Sequence, residues 1–137
     1  LVDMGAPPFL LASALSLVVA QRLVRRVCVE CREAREVDEA WLLACGHEPV
    51  GVGGATIHQG KGCAACGITG MKGRVAVCEV MPVTPDLRDM ILKGASTAAL
   101  RRAAQSHGMK TLRQAGVVKA LDGVTTMEEV LRVTMTE

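Results

Sequence analysis

The sequence predicts an α+β protein, mainly α. It should hold a small metal-stapled subdomain with a short strand segment, followed by a C-terminal helical bundle. Three observations carry this expectation. Two CxxC pairs, Cys28-Val29-Glu30-Cys31 and Cys63-Ala64-Ala65-Cys66, stand at the ends of one loop. One alternating run, Val75-Ala76-Val77-Cys78-Glu79-Val80, has the period of a strand. After Pro82 the apolar residues recur at helical spacing between capping residues.

Composition supports the helical bias. Half of the 137 residues are apolar, yet Phe9 and Trp41 are the only aromatics, so any core must be built from Leu, Val, Ile, Ala and Met. That length suits one compact domain or two small ones. Sixteen basic and fourteen acidic residues leave a formal charge of +2, scattered along the chain, which demands no polyanionic partner. Single-strand nucleic-acid binding relies on aromatic stacking platforms, which this chain lacks, so no nucleic-acid partner is expected.

Taken in order, the stretch Phe9–Ala20 (FLLASALSLVVA) is expected to form a buried helix entered through Pro7-Pro8, with the polar and cationic Gln21, Arg22, Arg25 and Arg26 near its C-terminal end, where the helix dipole favours cations. It is well short of the roughly 20 apolar residues of a bilayer span, so no transmembrane segment is expected. Leu1 in place of an initiator methionine suggests a piece of a longer polypeptide.

The cysteine pairs come next. A CxxC sets two sulfurs on one tight turn, and Gly67 after the second pair permits a left-handed residue there. Two such turns make a tetrahedral four-sulfur site from Cys28, Cys31, Cys63 and Cys66. Zinc is expected in a structural role, because four protein ligands leave no position for water or substrate. Iron in a rubredoxin-like site is chemically compatible with the same donors. Four merely buried cysteines would make the doubled spacing a coincidence. A CxxC disulfide closes a tiny strained loop, and a thioredoxin-like motif needs only one pair. The loop has room for a short helix capped by Asp38, running Ala40–Cys45 and stopping at Gly46. Cys45 and Cys78 are expected in cores, His47 and His58 as bystanders in a completed shell, and His107 at a helix end before Gly108.

The glycine-rich stretch GVGGATIHQGKG fails as a phosphate loop, since Ala55 and Gly62 break both ends of the motif. No catalytic and no cofactor-binding residue is assigned. Four helices should follow: from Thr84-Pro85 to Gly94, from Ser96 to Gly108, from Thr111 to Asp122-Gly123, and from a Thr126/Glu129 capping box onward. Their apolar residues, among them Leu87, Leu100, Leu112, Val117 and Val130, are expected to share one bundle core, leaving Arg101, Arg102, Arg113 and Lys119 solvated.

Three stretches in order resemble the hexameric secretion and pilus-assembly ATPases of the GspE/PilB type: LVDMGAPPFLLASALSLVVAQRLVRRVC, GATIHQGKGCAACGITGMKGRVAVCEVMPV and GASTAALRRAAQSHGMKTLRQAGVVKALDGVTTMEEVLRVT. Met71 and Cys78 stand where that family usually has aromatics, and Gln114-Ala115 where an acidic pair is common; no ligand is affected.

The resemblance implies that residues 1–26 end a RecA-like ATPase core, 27–80 form the tetracysteine zinc subdomain and 81–137 a helical subdomain. It implies a parent homo-hexamer that hydrolyses ATP with Mg²⁺, is cytoplasmic and peripheral at the bacterial inner membrane, and works with platform proteins of a type II secretion or type IV pilus machine. The family's phosphate loop would lie before Leu1, so the chain alone is expected to be inactive. An independent zinc-ribbon adaptor for protein or nucleic acid is the alternative.

Overall fold

A computed structural model describes residues 2–45 and 54–135; the expectations for Gly46 and His47 lie outside the described residues. The order is α1 (Pro8–Ala14), β1 (Leu17–Val27), β2 (Arg32–Val37), α2 (Glu39–Ala44), β3 (Ala55–Gly60), β4 (Met71–Pro82), α3 (Pro85–Leu92), α4 (Thr97–Ser106), α5 (Leu112–Leu121) and α6 (Met127–Thr134). β1 pairs with β4, and β2 with β3, in two separate two-stranded sheets. Among the described residues, four strands beside six helices make the protein more mixed than the mainly α expectation.

The chain forms two compact units. One comprises Leu1–Ala20 and Glu79–Thr111, the other Gln21–Cys78 and Leu112–Glu137. In the first, α1 and α4 each pack on α3, and Val83, Leu87, Ala104 and Met109 form the buried centre with Leu15, Met90 and Leu100 around it. In the second, Cys45, Val117, Ala120, Met127 and Val130 form one cluster, Val24, Val77 and Leu112 another, and Val37, Leu42 and Ile57 a third. Trp41 and Leu121 pack against both the first and the third of these. The single bundle core expected after Pro82 is therefore wrong. Leu87 and Leu100 serve one core and Val117 and Val130 another, because α5 and α6 find their apolar partners among the strands and α2.

The buried helix expected over Phe9–Ala20 is also corrected. The helix stops at Ala14, Leu15 is already extended, and Leu17-Val18-Val19 enters β1. β-Branched neighbours lose side-chain freedom in a helix and suit a strand, and here a pairing partner more than fifty residues downstream decides between the two. Of α1 only Ala12 is buried; Phe9, Leu10, Leu17, Val18 and Val19 are exposed. No helix among the described residues is long and apolar enough to cross a membrane.

Local signals elsewhere hold. The side chain of Asp38 accepts from the Trp41 N–H at 2.8 Å, starting α2. Thr84, Ser96 and Thr126 likewise accept from the N–H groups of Leu87, Ala99 and Glu129. The strand foreseen at Val75–Val80 extends in both directions as β4.

Candidate metal centre

The β2–β3 hairpin is the frame. Its antiparallel register sets Arg32 opposite Gly60, so Cys31 and the Lys61-Gly62-Cys63 segment leave the same end of the ladder. Beyond it, the Lys61 N–H donates to the Cys31 carbonyl at 3.0 Å. On the other sheet, β1 runs into Cys28 and β4 leaves from Gly70, and the Cys28 N–H donates to the Gly70 carbonyl at 2.9 Å. Each cysteine turn thus joins a strand of one sheet to a strand of the other.

This brings all four predicted sulfurs together, each within 4.8 Å of the rest. The Sγ atoms of Cys28 and Cys63 lie 3.9 Å apart, those of Cys31 and Cys66 3.9 Å, and those of Cys63 and Cys66 3.7 Å. A zinc ion bound tetrahedrally at about 2.3 Å requires sulfur–sulfur edges of roughly 3.8 Å, so the residues fit the ion. Cys28 is fully buried, its three partners half-buried, and all are free thiols.

The backbone prepares the site for negative charge. The N–H groups of Cys63 and Gly70 both donate to Cys66 Sγ at 3.2 Å. These bonds, led by that from Cys63, hold the Cys66 thiol down to about 6. Desolvation pushes the Cys31 thiol up to about 12.

Two glycines explain much of the GKGCAACGITG stretch. Gly67 takes the left-handed conformation, φ 60° and ψ 40°, that ends the second turn. Gly70 crosses Gly60 so closely that a Cβ on Gly70 would lie 2.4 Å from the Gly60 carbonyl oxygen.

Cys45 is buried in a core as expected, whereas Cys78 is half-buried in β4 and outside the cluster. His58 sits on β3 opposite Ala34, against Gly123, and contributes nothing to the site. His107 closes α4, its N–H donating to Ala103 and Ala104, and its Nε2 lies 3.5 Å from Asp86. Among the described residues the four cysteines are the one metal-competent cluster.

Sequence reasoning missed Glu129. The Thr126 half of the capping box forms, but the Glu129 carboxylate, 3% exposed, is taken by other donors. It accepts from the Arg25 backbone N–H, Arg25 Nε and Nη2, and Arg132 Nε and Nη2, at 2.8 to 3.2 Å. Burial acts to raise its pKa, but the Arg132 and Arg25 bonds outweigh that and hold it at about 2. Arg25 therefore serves a buried carboxylate and not a helix end; its partner stands 104 residues away, where no local pattern points to it. Arg113, expected to be solvated, donates to Thr134 Oγ1 at 3.3 Å and the Thr134 carbonyl at 3.1 Å, tying α5 to the end of α6.

Residues 1–132 match the family model described as type II/IV secretion system protein. The chain is 43% identical over 132 residues to the type IV pilus assembly ATPase PilB of Myxococcus xanthus (strain DK1622), covering 96% of this chain and 23% of that protein. It is 43% identical over 129 residues to PilB of Thermus thermophilus, covering 94% and 14%. Against type II secretion system protein E of Pseudomonas aeruginosa it is 41% identical over 137 residues, covering 100% and 27%. The chain thus spans about a quarter or less of the length of these curated relatives. With matching relatives across nearly its whole length, this chain belongs to the type II/IV secretion system protein family.

Proposed function

We propose that this chain is the metal-stapled C-terminal portion of a traffic ATPase that powers type II secretion or type IV pilus assembly. The observation that carries the reading is a four-sulfur cluster of tetrahedral dimensions in a chain whose relatives are named for those machines. Cys28, Cys31, Cys63 and Cys66 would hold one zinc ion, which, when bound, supplies cross-linking charge and no catalysis, since four protein thiolates close its shell. Residues 1–26 would leave the ATPase core, 27–80 bear the metal and 81–137 supply helices that couple to the core or to a neighbouring subunit of a homo-hexamer. ATP and Mg²⁺ would bind to parts of the polypeptide preceding Leu1. The work would be done in the cytoplasm at the inner membrane, with platform proteins as partners.

Two measurements test this together. The 137-residue chain should show no ATP turnover above background with Mg²⁺. Turnover that is lost with a point mutation inside these residues would overturn the assignment. In the organism that makes the full polypeptide, Cys63→Ser with Cys66→Ser should abolish secretion or piliation. Normal function of that double variant would sink the staple role.

A further inference from the structure

Resting on the metal reading above, we propose that Glu129 is a positioning residue for the metal centre, acting through β1 on Cys28. The carboxylate binds both the backbone N–H and the guanidinium of Arg25. On the same side of β1 the Thr125 hydroxyl donates to the Arg25 carbonyl at 2.7 Å, and the Val27 N–H donates to the Val124 carbonyl at 3.0 Å. Residues 124–129 therefore grip the last turns of the pleat before the first cysteine turn. From the other sheet partner, Gly70 accepts from the Cys28 N–H and donates to Cys66 Sγ. Cys28 is the fully buried sulfur, so its position follows from how these two flanks fix the strand. A carboxylate with 3% exposure and five donors is far more than a helix cap requires, and every donor except those of Arg132 belongs to the strand that delivers Cys28. Partners bonded directly to metal ligands orient them, and their loss typically weakens metal affinity about 10–100-fold. Glu129 holds the strand three residues before Cys28 and not the cysteine itself, so its loss sits at or below the lower end of that range.

The test is chelator competition for zinc on the reduced 137-residue chain, with cobalt(II) absorption as a second readout. Glu129→Gln keeps the shape but turns an amide donor toward the arginines. It should weaken zinc binding about 10-fold, the lower end of what loss of a direct partner of a ligand brings, and alter the tetrahedral cobalt–thiolate bands. Arg113→Gln, which removes the Arg113 bonds to Thr134 at the far end of α6 and touches neither Glu129 nor β1, should bind zinc as the parent does. Equal affinity in Glu129→Gln and parent, or equal weakening in Arg113→Gln, overturns the proposal. Should Glu129→Gln not fold, Arg25→Gln decides, because it removes the two guanidinium bonds from β1 to Glu129: roughly fivefold weaker zinc binding supports the proposal, and unchanged binding overturns it. A parent chain that binds no zinc at all overturns the metal reading itself, and this inference with it.

Discussion

Replacing Gly70 by alanine separates steric crossing from mere backbone preference at the four-cysteine cluster. Gly70 has φ +72° and Gly73 φ +79°, so alanine at either position carries a similar left-handed penalty, about 1–2 kcal/mol. The surroundings differ. A Cβ on Gly73 meets nothing within 4 Å, whereas one on Gly70 lies 2.4 Å from the Gly60 oxygen and 2.9 Å from its carbonyl carbon, atoms of backbone that cannot rotate away. Relief requires the strands to part, at the expense of the Cys28–Gly70 and Lys61–Cys31 hydrogen bonds that flank the sulfurs. Overpacking of this kind costs about 1–3 kcal/mol, so Gly70→Ala should exceed Gly73→Ala by roughly 2 kcal/mol. That is about a 30-fold difference in an equilibrium constant. Trp41, the sole tryptophan, packs between two clusters of the unit that contains the four cysteines, so its fluorescence reports denaturant unfolding there. Zinc competition reads the site itself. Indistinguishable midpoints and zinc affinities for the two variants would refute the crossing argument.

Stripping zinc with a chelator should raise amide exchange across β2, β3 and both cysteine turns, because this segment has one small apolar cluster to set against an ordering entropy of about 1–2 kcal/mol per residue. The loss should extend into α5 and α6, which share that unit, and spare α3 and α4, which have their own core; equal loss in all four helices would contradict the division. Glu129 makes a pH prediction. Its carboxyl is held at about 2 against an ordinary 4.5, so its ionised form favours the fold, and the contribution is complete above pH 4.5 and lost as pH falls toward 2. The shift corresponds to roughly 3 kcal/mol, reduced to about 2 by solvent screening at the half-exposed arginines. Measured on zinc-free parent and zinc-free Glu129→Gln, so that acid release of the metal does not enter, the stability gap should therefore close between pH 4.5 and 2; a gap constant with pH would refute the charge argument.

What was legible in the sequence was local. Asp38, Thr84, Ser96 and Thr126 bind N–H groups three residues on, so the helix starts could be read directly. The CxxC turns were legible for the same reason, since each sets its two sulfurs by its own spacing. Pairings across the chain were not. β2, Arg32-Glu33-Ala34-Arg35-Glu36-Val37, buries only Val37 and shows no apolar alternation, so nothing in it marks a strand until β3 lies beside it. β1 looked like the continuation of α1 because both are apolar, and its partner β4 is what makes it a strand. From sequence alone Glu129 reads as a cap, because its true partner, Arg25, is distant along the chain.

Zinc-edge X-ray absorption on the purified 137-residue chain, prepared reduced, tests the central claim most directly. The account predicts one zinc per chain with four sulfur neighbours near 2.3 Å and no nitrogen or oxygen in the first shell. A chain that purifies without zinc, or a shell containing imidazole nitrogen, would contradict it.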